Sequence, residues 1–203
     1  MKERGKFIVF EGIDGSGKGT QISLSASYIF NKNKEYDIFL TREPTRDFKE
    51  IRERMAKAIS VADSPEWYSE MFVLDRKNHL KKYIQPSLKR GTHVILDRYK
   101  LSTLTYQSLQ GVNLFQLIEM HDEMLIPDLT LILDCPVEVA FERRKNGGAT
   151  DMFDRDFQFQ INLRQKYLDL ADILHDENII VINSSEGVDN TFNLIKKELD
   201  KIV

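Results

Sequence analysis

A glycine-rich stretch near the start of the chain has the residues needed to bind phosphate. Gly12, Gly17 and Lys18 show the Gly-x4-Gly-Lys spacing of a phosphate-binding loop. Glycine lacks a Cβ, so such a loop can curl tightly and direct its backbone N–H groups at phosphate oxygens. The helix that follows would add its positive N-terminal end, and Lys18 would add a full charge near the β- and γ-phosphates of a nucleotide. The alternative is a glycine-rich turn between a strand and a helix, with no ligand.

Two aspartates stand where predicted strands end, Asp97 and Asp134. An acid at the carboxyl end of a strand can hold Mg²⁺, directly or through water, beside phosphates bound at that edge of the sheet. It can also simply begin a turn or a helix, which is the favoured reading for Asp134 because Cys135 and Pro136 follow it. Asp97 is followed by Arg98, whose guanidinium could bridge phosphates with paired hydrogen bonds. The sequence therefore predicts that Asp97 and Arg98 belong to a site.

The elements that must position these residues alternate between strand and helix. Short apolar runs predict strands at 7–10, 37–41, 92–96, 129–133 and 179–182. Helical patterns cover 18–32, 48–59, a long stretch from 64 towards Gly91 with a bend at Pro86, 101–109, 114–125, 137–145, 155–174 and 188–202. This alternation predicts one α/β domain over residues 1–203, with a parallel sheet covered by helices on both faces.

The bulk composition narrows the classes of function. The chain has 203 residues, a net charge of −3 and 41% hydrophobic residues, which is ordinary for a globular protein. The charge gives no reason to expect nucleic-acid binding, so a polyanionic ligand must be held by local Lys and Arg side chains. No apolar stretch approaches the roughly 18 residues that span a membrane, and no signal peptide precedes the first strand. The single cysteine, Cys135, predicts a buried thiol in a cytoplasmic protein without an internal disulfide.

Several motifs, taken in order along the chain, resemble those of thymidylate kinases. They are Phe-Glu-Gly-Ile-Asp-Gly-Ser-Gly-Lys at 10–18, Thr-Arg-Glu-Pro at 41–44, Asp-Arg-Tyr at 97–99 and Leu-Asp-Cys-Pro-Val-Glu-Val-Ala-Phe-Glu-Arg at 133–143. The resemblance implies a five-stranded parallel sheet flanked by helices, a short lid at about 143–156, and a homodimer. It also implies that ATP phosphorylates dTMP to dTDP with the help of Mg²⁺.

On the donor side, the resemblance implies roles for the loop and for the lid. Lys18 and the loop amides would hold the phosphates of ATP, and Asp14 and Asp97 are the candidate metal ligands. The loop position at which some members carry an arginine is a glycine here, so catalytic cations are expected from Arg144 or Arg155 of the lid. Solvated lid charges are the alternative. The remaining candidate ATP-binding residues are Gly12, Ile13, Gly15, Ser16, Gly17, Gly19, Thr20 and Arg143.

On the acceptor side, Arg98 would lie between the two reacting phosphates and neutralise charge. Phe72 and Arg76 are four residues apart on a predicted helix, so their side chains share one face. The ring could stack on a pyrimidine and the guanidinium could donate to a carbonyl such as thymine O4. Arg42 and Arg46 are candidate acceptor-phosphate ligands, with Arg46 favoured, and solvated loop arginines are the alternative. The implied lining of the base and sugar pocket is Ser102, Thr103 and Tyr106.

The sequence also departs from the family pattern at three places. Gly19-Thr20 replaces two hydroxyl residues and resembles the Gly-Lys-Gly-Thr of adenylate kinases. Thr45 replaces a glycine after Thr-Arg-Glu-Pro, and the lid lacks the dense arginines of many bacterial members. A kinase for another nucleotide or a deoxynucleoside is therefore the main alternative function. A non-catalytic nucleotide-binding module is a further alternative, which the bridging position expected for Arg98 argues against.

Overall fold

The centre of the fold is a five-stranded, all-parallel sheet in the strand order β2-β3-β1-β4-β5. It is seen in a computed structural model that describes residues 3–57, 64–145 and 157–203. The strands are β1 (Phe7–Glu11), β2 (Ile38–Arg42), β3 (His93–Asp97), β4 (Leu129–Asp134) and β5 (Ile179–Asn183). The predicted sheet is confirmed, and each strand ends one residue later than predicted. The added residues are polar, and they bring side chains that can do chemistry to the carboxyl edge of the sheet.

Helices cover both faces of this sheet. They are α1 (Lys18–Lys32), α2 (Lys49–Lys57), α3 (Pro65–His79), α4 (Gln85–Lys89), α5 (Lys100–Leu109), α6 (Leu114–Glu119), α7 (Val137–Lys145), α8 (Phe157–Ile173) and α9 (Val188–Leu199). No helix among the described residues is long and apolar enough to cross a membrane. The predicted lid begins at the end of α7, and its residues 146–156 lie outside the described part of the chain.

The core explains why β1 consists of apolar residues up to its last position. Successive strand residues point to opposite faces of a sheet. Phe7 and Val9 pack into one apolar cluster with Ile84, while Ile8 packs on the other face with Ile29 of α1. All five residues of β1 are buried. A central strand between two helical layers needs apolar side chains on both faces, as the sequence shows.

The long helix predicted from residue 64 towards Gly91 is interrupted before its end. A π-helical turn, Leu80–Ile84, separates α3 from α4, and the N–H of Gln85 bonds to the Leu80 carbonyl five residues back. The next residue, Pro86, has no N–H to continue the regular pattern. The irregularity therefore lies one turn before the proline, where the sequence predicted a bend at the proline itself.

The helix predicted over 114–125 is too long, because α6 ends at Glu119. In a continuing helix the N–H of His121 would bond to the Leu117 carbonyl. Instead the His121 side chain takes that carbonyl, with Nδ1 2.6 Å from the Leu117 oxygen. The backbone N–H of His121 bonds to Ile118, three residues back. The histidine thereby ends the helix in a turn.

Candidate active site

The loop between β1 and α1 is a tightly packed cradle of backbone. Gly12, Gly15 and Gly17 have φ angles of 131°, 87° and 95°, which L-residues with a side chain rarely adopt. A Cβ on Gly12 would lie 2.6 Å from the Leu133 carbonyl oxygen, and a Cβ on Gly15 would lie 2.3 Å from that of Ala140. The loop thus touches the backbone of β4 and α7 where only glycine fits. This is the loop that the glycine spacing predicts, and α1 begins directly after it at residue 18.

Lys18 bends back over the loop that precedes it. Its Nζ donates to the carbonyl oxygens of Gly12 and Ile13 at 2.8 and 2.9 Å and lies 3.7 Å from the Asp14 carboxylate. The side chain is only 7% exposed, and this burial lowers its pKa. An ammonium held against the loop in this way could also pair with the oxygens of a phosphate bound there.

Arg98 stands between the loop and α5. Its Nη2 donates to Asp14 at 2.7 Å, and its Nη1 donates to Ser102 at 3.0 Å and to the hydroxyl of Tyr167 at 3.2 Å. The guanidinium also lies over the ring of Tyr106, 5.6 Å from its centroid. Burial alone would raise the pKa of Asp14, but the charges of Arg98 and Lys18 hold that pKa below its usual range. Asp14 is therefore a carboxylate at neutral pH.

A buried acid, Glu11, binds two of the side chains that hold Arg98. The sequence alone indicates no role for Glu11. Its carboxylate accepts hydrogen bonds from Tyr99 N at 2.7 Å, Ser102 N at 3.2 Å and Ser102 Oγ at 2.7 Å. The hydroxyl of Tyr167 donates to it at 3.3 Å. Complete burial raises the pKa of Glu11. Because Ser102 and Tyr167 also bind Arg98, Glu11 fixes the partners that hold the guanidinium. Its signal in the sequence is an acid that ends an otherwise apolar strand.

A cavity of about 680 Å³ opens beside the loop, between the carboxyl ends of β2 and β3 and helices α3 and α5. We term it the first cavity. Its volume suits a ligand the size of a nucleotide. The structure gathers most of the predicted metal and acceptor residues in its lining: Asp14, Arg42, Phe72, Arg76, Asp97, Arg98, Ser102, Thr103 and Tyr106.

Phe72 and Arg76 lie on the first cavity as the helical spacing predicts. Phe72 is partly buried and its ring stacks on Tyr68, with centroids 5.9 Å apart. Arg76 is only 2% exposed, and its guanidinium hydrogen bonds go to protein partners. These partners are Glu43 at 2.6 Å, His121 at 2.6 Å, the Tyr99 carbonyl at 2.9 Å and Thr103 at 3.2 Å. Glu43 and His121 were not among the predicted residues.

Arg42 and Arg46 are both exposed, but they are placed differently. Arg42 lines the first cavity and also a second cavity of about 650 Å³, whereas Arg46 lines only the second. Among the described residues, neither guanidinium has a hydrogen-bond or ion-pair partner. The loop that carries Arg46 is fixed by Asp75, which binds the backbone N–H of Thr45 at 2.7 Å and also its hydroxyl. Two arginines near the ends of β2 and β3, without partners in the described ranges, suit an anionic ligand.

The carboxylate of Asp97 has an oxygen that could bind a cation. Its Oδ1 is buried and has no hydrogen-bond partner in the described part of the chain, and the side chain lines both cavities. Within the described ranges no group of three or more His, Cys, Asp or Glu residues is close enough to hold a metal. The buried Oδ1 of Asp97, without a partner among the described residues, fits Mg²⁺, which binds through one or two carboxylates and takes its other ligands from phosphates and water.

Two other features bear on the metal. A Cβ on Gly19 would meet nothing within 4 Å, so the place of the expected hydroxyl is open space, and Thr20 is exposed. Asp134 binds Arg164 through both carboxylate oxygens, at 2.6 and 2.8 Å. Asp134 thus joins β4 to α8 through an ion pair, a structural role other than the turn or helix start favoured from the sequence.

Arg143 and Arg144, at the end of α7, have different contacts. The Nη2 of Arg143 donates to the Ser184 carbonyl at 2.8 Å, and its Nη1 lies 4.0 Å from the place of a Cβ on Gly17. Arg144 lies over the ring of Phe141, 5.4 Å from its centroid, and its charge contributes to the low pKa of Asp14. Arg155 lies outside the described residues.

An enzyme that moves phosphate between two nucleotides needs a donor cradle and an acceptor cavity that face each other across a cation. The β1–α1 loop and the first cavity have this relation, with Arg98 between them, and the five-stranded parallel sheet is that of the P-loop nucleoside monophosphate kinases. Comparison with known proteins is more specific. A family model described as Thymidylate kinase matches residues 10–195.

Curated relatives agree with this match. The chain is 38% identical to a probable thymidylate kinase of Pyrococcus horikoshii over 97% of its own length and 98% of the relative. It is 36% identical to a probable thymidylate kinase of Thermococcus kodakarensis, covering 93% and 94%. It is 38% identical to the thymidylate kinase of Carboxydothermus hydrogenoformans, covering 97% and 98%. The chain therefore belongs to the thymidylate kinase family.

Proposed function

We propose that this chain transfers the γ-phosphoryl group of ATP to dTMP, giving ADP and dTDP. The observation that carries the proposal is the position of Arg98. Its guanidinium binds Asp14 of the donor loop on one side and Ser102 of the first cavity on the other. A cation fixed at this boundary is where charge must be neutralised as a phosphoryl group passes between two phosphates.

On the donor side, we assign the β1–α1 loop and Lys18 to the phosphates of ATP. The loop offers backbone N–H groups of the kind that bind phosphate oxygens, and the buried ammonium of Lys18 adds charge that is little screened by bulk water. We assign Arg143 to ATP binding because it lies beside Gly17. Arg144 is the candidate catalytic cation of the lid, since its charge acts on Asp14, and Arg155 remains a second candidate.

On the acceptor side, the reacting oxygen needs no general base. It belongs to a phosphate whose second pKa is about 6, so it is largely ionised at neutral pH. Catalysis then depends on alignment and charge neutralisation. We assign the acceptor phosphate to Arg42 and Arg98, with Arg46 reaching it from the second cavity. Phe72 would stack on the base, and Arg76 would donate to a base carbonyl.

Mg²⁺ fits this scheme at Asp97, with Asp14 as a second carboxylate in the lining of the first cavity. Bound there, it would neutralise phosphate charge and orient the donor. We further propose that the protein works as a homodimer in the cytoplasm. Family resemblance supports the dimer, as do exposed apolar side chains such as Leu74 and Phe115. The compartment is supported by Cys135, a free, buried thiol.

Two substitutions test the assigned roles in the transfer step. Lys18→Ala should lower turnover of ATP with dTMP by several orders of magnitude, because its charge matters most as the γ-phosphate charge redistributes. Arg98→Ala should have an effect of similar size. The control is Arg164→Ala, which removes an arginine that binds Asp134 away from the first cavity. Near-normal turnover in a folded Lys18→Ala or Arg98→Ala variant would refute the assignment.

A further inference from the structure

A continuous chain of buried polar side chains runs through the wall of the first cavity, and apart from Arg76 the assigned roles do not use it. It begins at Thr41 on β2, whose hydroxyl lies 2.9 Å from Nε2 of His79. The other ring nitrogen of His79 lies 3.0 Å from Glu43, and Glu43 accepts from Arg76 at 2.6 Å. Arg76 in turn contacts His121. Except for Thr41, these side chains are at most 7% exposed. Buried networks with satisfied partners hold their members in one geometry.

Within this network the guanidinium of Arg76 is restricted on every nitrogen. Nε donates to Glu43, and Nη2 donates to the Tyr99 carbonyl and to Thr103. Nη1 donates to Nε2 of His121 at 2.6 Å. A guanidinium has five N–H groups, so these four bonds leave one N–H, on Nη1. His121 binds the same nitrogen, so together with Glu43 and Thr103 it fixes the plane of the guanidinium and with it the direction of the last N–H.

The protonation of His121 follows from its neighbours. Arg76 has only donors, so the Nε2 that it contacts must carry the lone pair. The Leu117 carbonyl has only an acceptor, so Nδ1, 2.6 Å away, must carry the proton. Burial lowers the pKa of His121 to about 3, and the charge of Arg76 acts in the same direction. The ring is therefore a neutral acceptor at the pH at which the enzyme works.

We propose that His121 and Glu43 are positioning residues for acceptor specificity, which hold Arg76 so that its last N–H meets a carbonyl oxygen of the acceptor base. The inference rests on the proposed function, because it takes a thymine nucleotide as the acceptor. Arg76 lines the first cavity, whereas His121 does not. His121 must therefore act on the acceptor through Arg76. The group recognised is the carbonyl at C4 of thymine or uracil. Cytosine presents an amino group there, so donor would face donor.

The test compares dTMP, dUMP and dCMP as ligands and as substrates of the wild type and two variants. His121→Leu removes the acceptor at similar volume. It should reduce the preference for dTMP over dCMP by at least about tenfold, because that preference depends on a charged hydrogen bond from Arg76 to the base carbonyl, which is worth about tenfold or more. The preference for dTMP over dUMP depends on the methyl group and should not change, nor should the KM for ATP. His121→Gln offers an amide oxygen near the Nε2 position and should restore the preference.

A matched control separates positioning from general stability. His93 is also a buried histidine, 6% exposed, and its ring accepts a hydrogen bond from the backbone N–H of Lys6. It is the first residue of β3, whereas the last residue of that strand, Asp97, lines the first cavity. His93→Leu should lower thermal stability and leave all nucleotide preferences unchanged. If His121→Leu does not fold, His121→Asn, which is polar but too short to reach Arg76, should show the same tenfold fall.

Two results overturn the positioning role. One is an unchanged preference for dTMP over dCMP in a folded His121→Leu or His121→Asn variant. The other is an equal loss for dTMP, dUMP and dCMP that His121→Gln does not restore. Failure of the proposed function looks different, because the wild type would then transfer no phosphate to dTMP. In that case the ratio of dissociation constants for dTMP and dCMP still decides the positioning role.

Discussion

Substitution of Gly15 by alanine tests how the donor loop is built. The residue has a φ of +87°, and an added Cβ would lie 2.3 Å from the carbonyl oxygen of Ala140 and 2.9 Å from its carbonyl carbon. Both atoms are backbone of α7, so a rotamer change cannot relieve the contact. Either the loop or α7 must move until the Cβ to oxygen distance exceeds 3.0 Å. Any side chain at position 15, an arginine included, would meet the same contact.

The loss of stability can be worked out from these two features. A left-handed backbone conformation costs a non-glycine residue about 1–2 kcal/mol. Overpacking against fixed atoms costs about a further 1–3 kcal/mol. Gly15→Ala should therefore lower the free energy of unfolding by about 2–5 kcal/mol. Gly111 is the matched control, because its φ is +103° and a Cβ there meets nothing within 4 Å. Gly111→Ala should cost only the strain, about 1–2 kcal/mol.

The assay combines urea unfolding with ATP binding measured by calorimetry. Displaced loop amides no longer match the phosphate oxygens, so Gly15→Ala should weaken ATP binding by at least about tenfold. Gly111→Ala should bind ATP as the wild type does. If both variants lose the same free energy of unfolding and both keep wild-type affinity for ATP, the loop does not pack on α7 as described.

Two further predictions concern the lid and the buried histidine. Arg144→Ala or Arg155→Ala should lower turnover at saturating substrates by at least about tenfold, whereas Arg143→Ala should mainly raise the KM for ATP; if neither of the first two lowers turnover, the lid cations are not catalytic. The folded chain keeps His121 neutral down to about pH 3, while an unfolded histidine takes up a proton below about pH 6.5. The free energy of unfolding should thus fall by up to about 1.4 kcal/mol for each pH unit below 6.5. Urea unfolding at pH 5 and pH 7 should show a smaller fall for His121→Gln than for the wild type. An equal fall in the two proteins would show that His121 does not titrate in this way.

Local signals in the sequence were sufficient for the sheet and the donor loop. The spacing of Gly12, Gly17 and Lys18 predicts both the loop and the residue at which α1 begins, because the positive φ angles of the two glycines are a requirement of the local turn itself. The strand ends were each misjudged by one residue, since a polar last residue such as Glu11 looks like the start of a loop. Its burial depends on Ser102 and Tyr167, which are distant in sequence.

The network around Arg76 could not be predicted for the same reason. The four-residue spacing places Phe72 and Arg76 on one helix face, but it does not show that Glu43 and His121 meet the guanidinium. His121 lies in a segment whose apolar pattern predicts a continuing helix. Only its side-chain bond to the Leu117 carbonyl, formed in the folded chain, ends that helix and turns the imidazole towards Arg76.

The transfer reaction itself can be tested in one mixture. The wild-type chain is incubated with Mg²⁺, ATP labelled at the γ-phosphate, and equal amounts of dTMP, dCMP, AMP, GMP and thymidine, and the labelled products are separated. We predict that the label enters dTDP ahead of every other product, because the first cavity offers a stacking ring and a single carbonyl-directed N–H. Label mainly in ADP or dCDP would contradict the assignment of dTMP as acceptor. Label in thymidine monophosphate would instead indicate a nucleoside kinase, and no transfer to any acceptor would indicate a nucleotide-binding module.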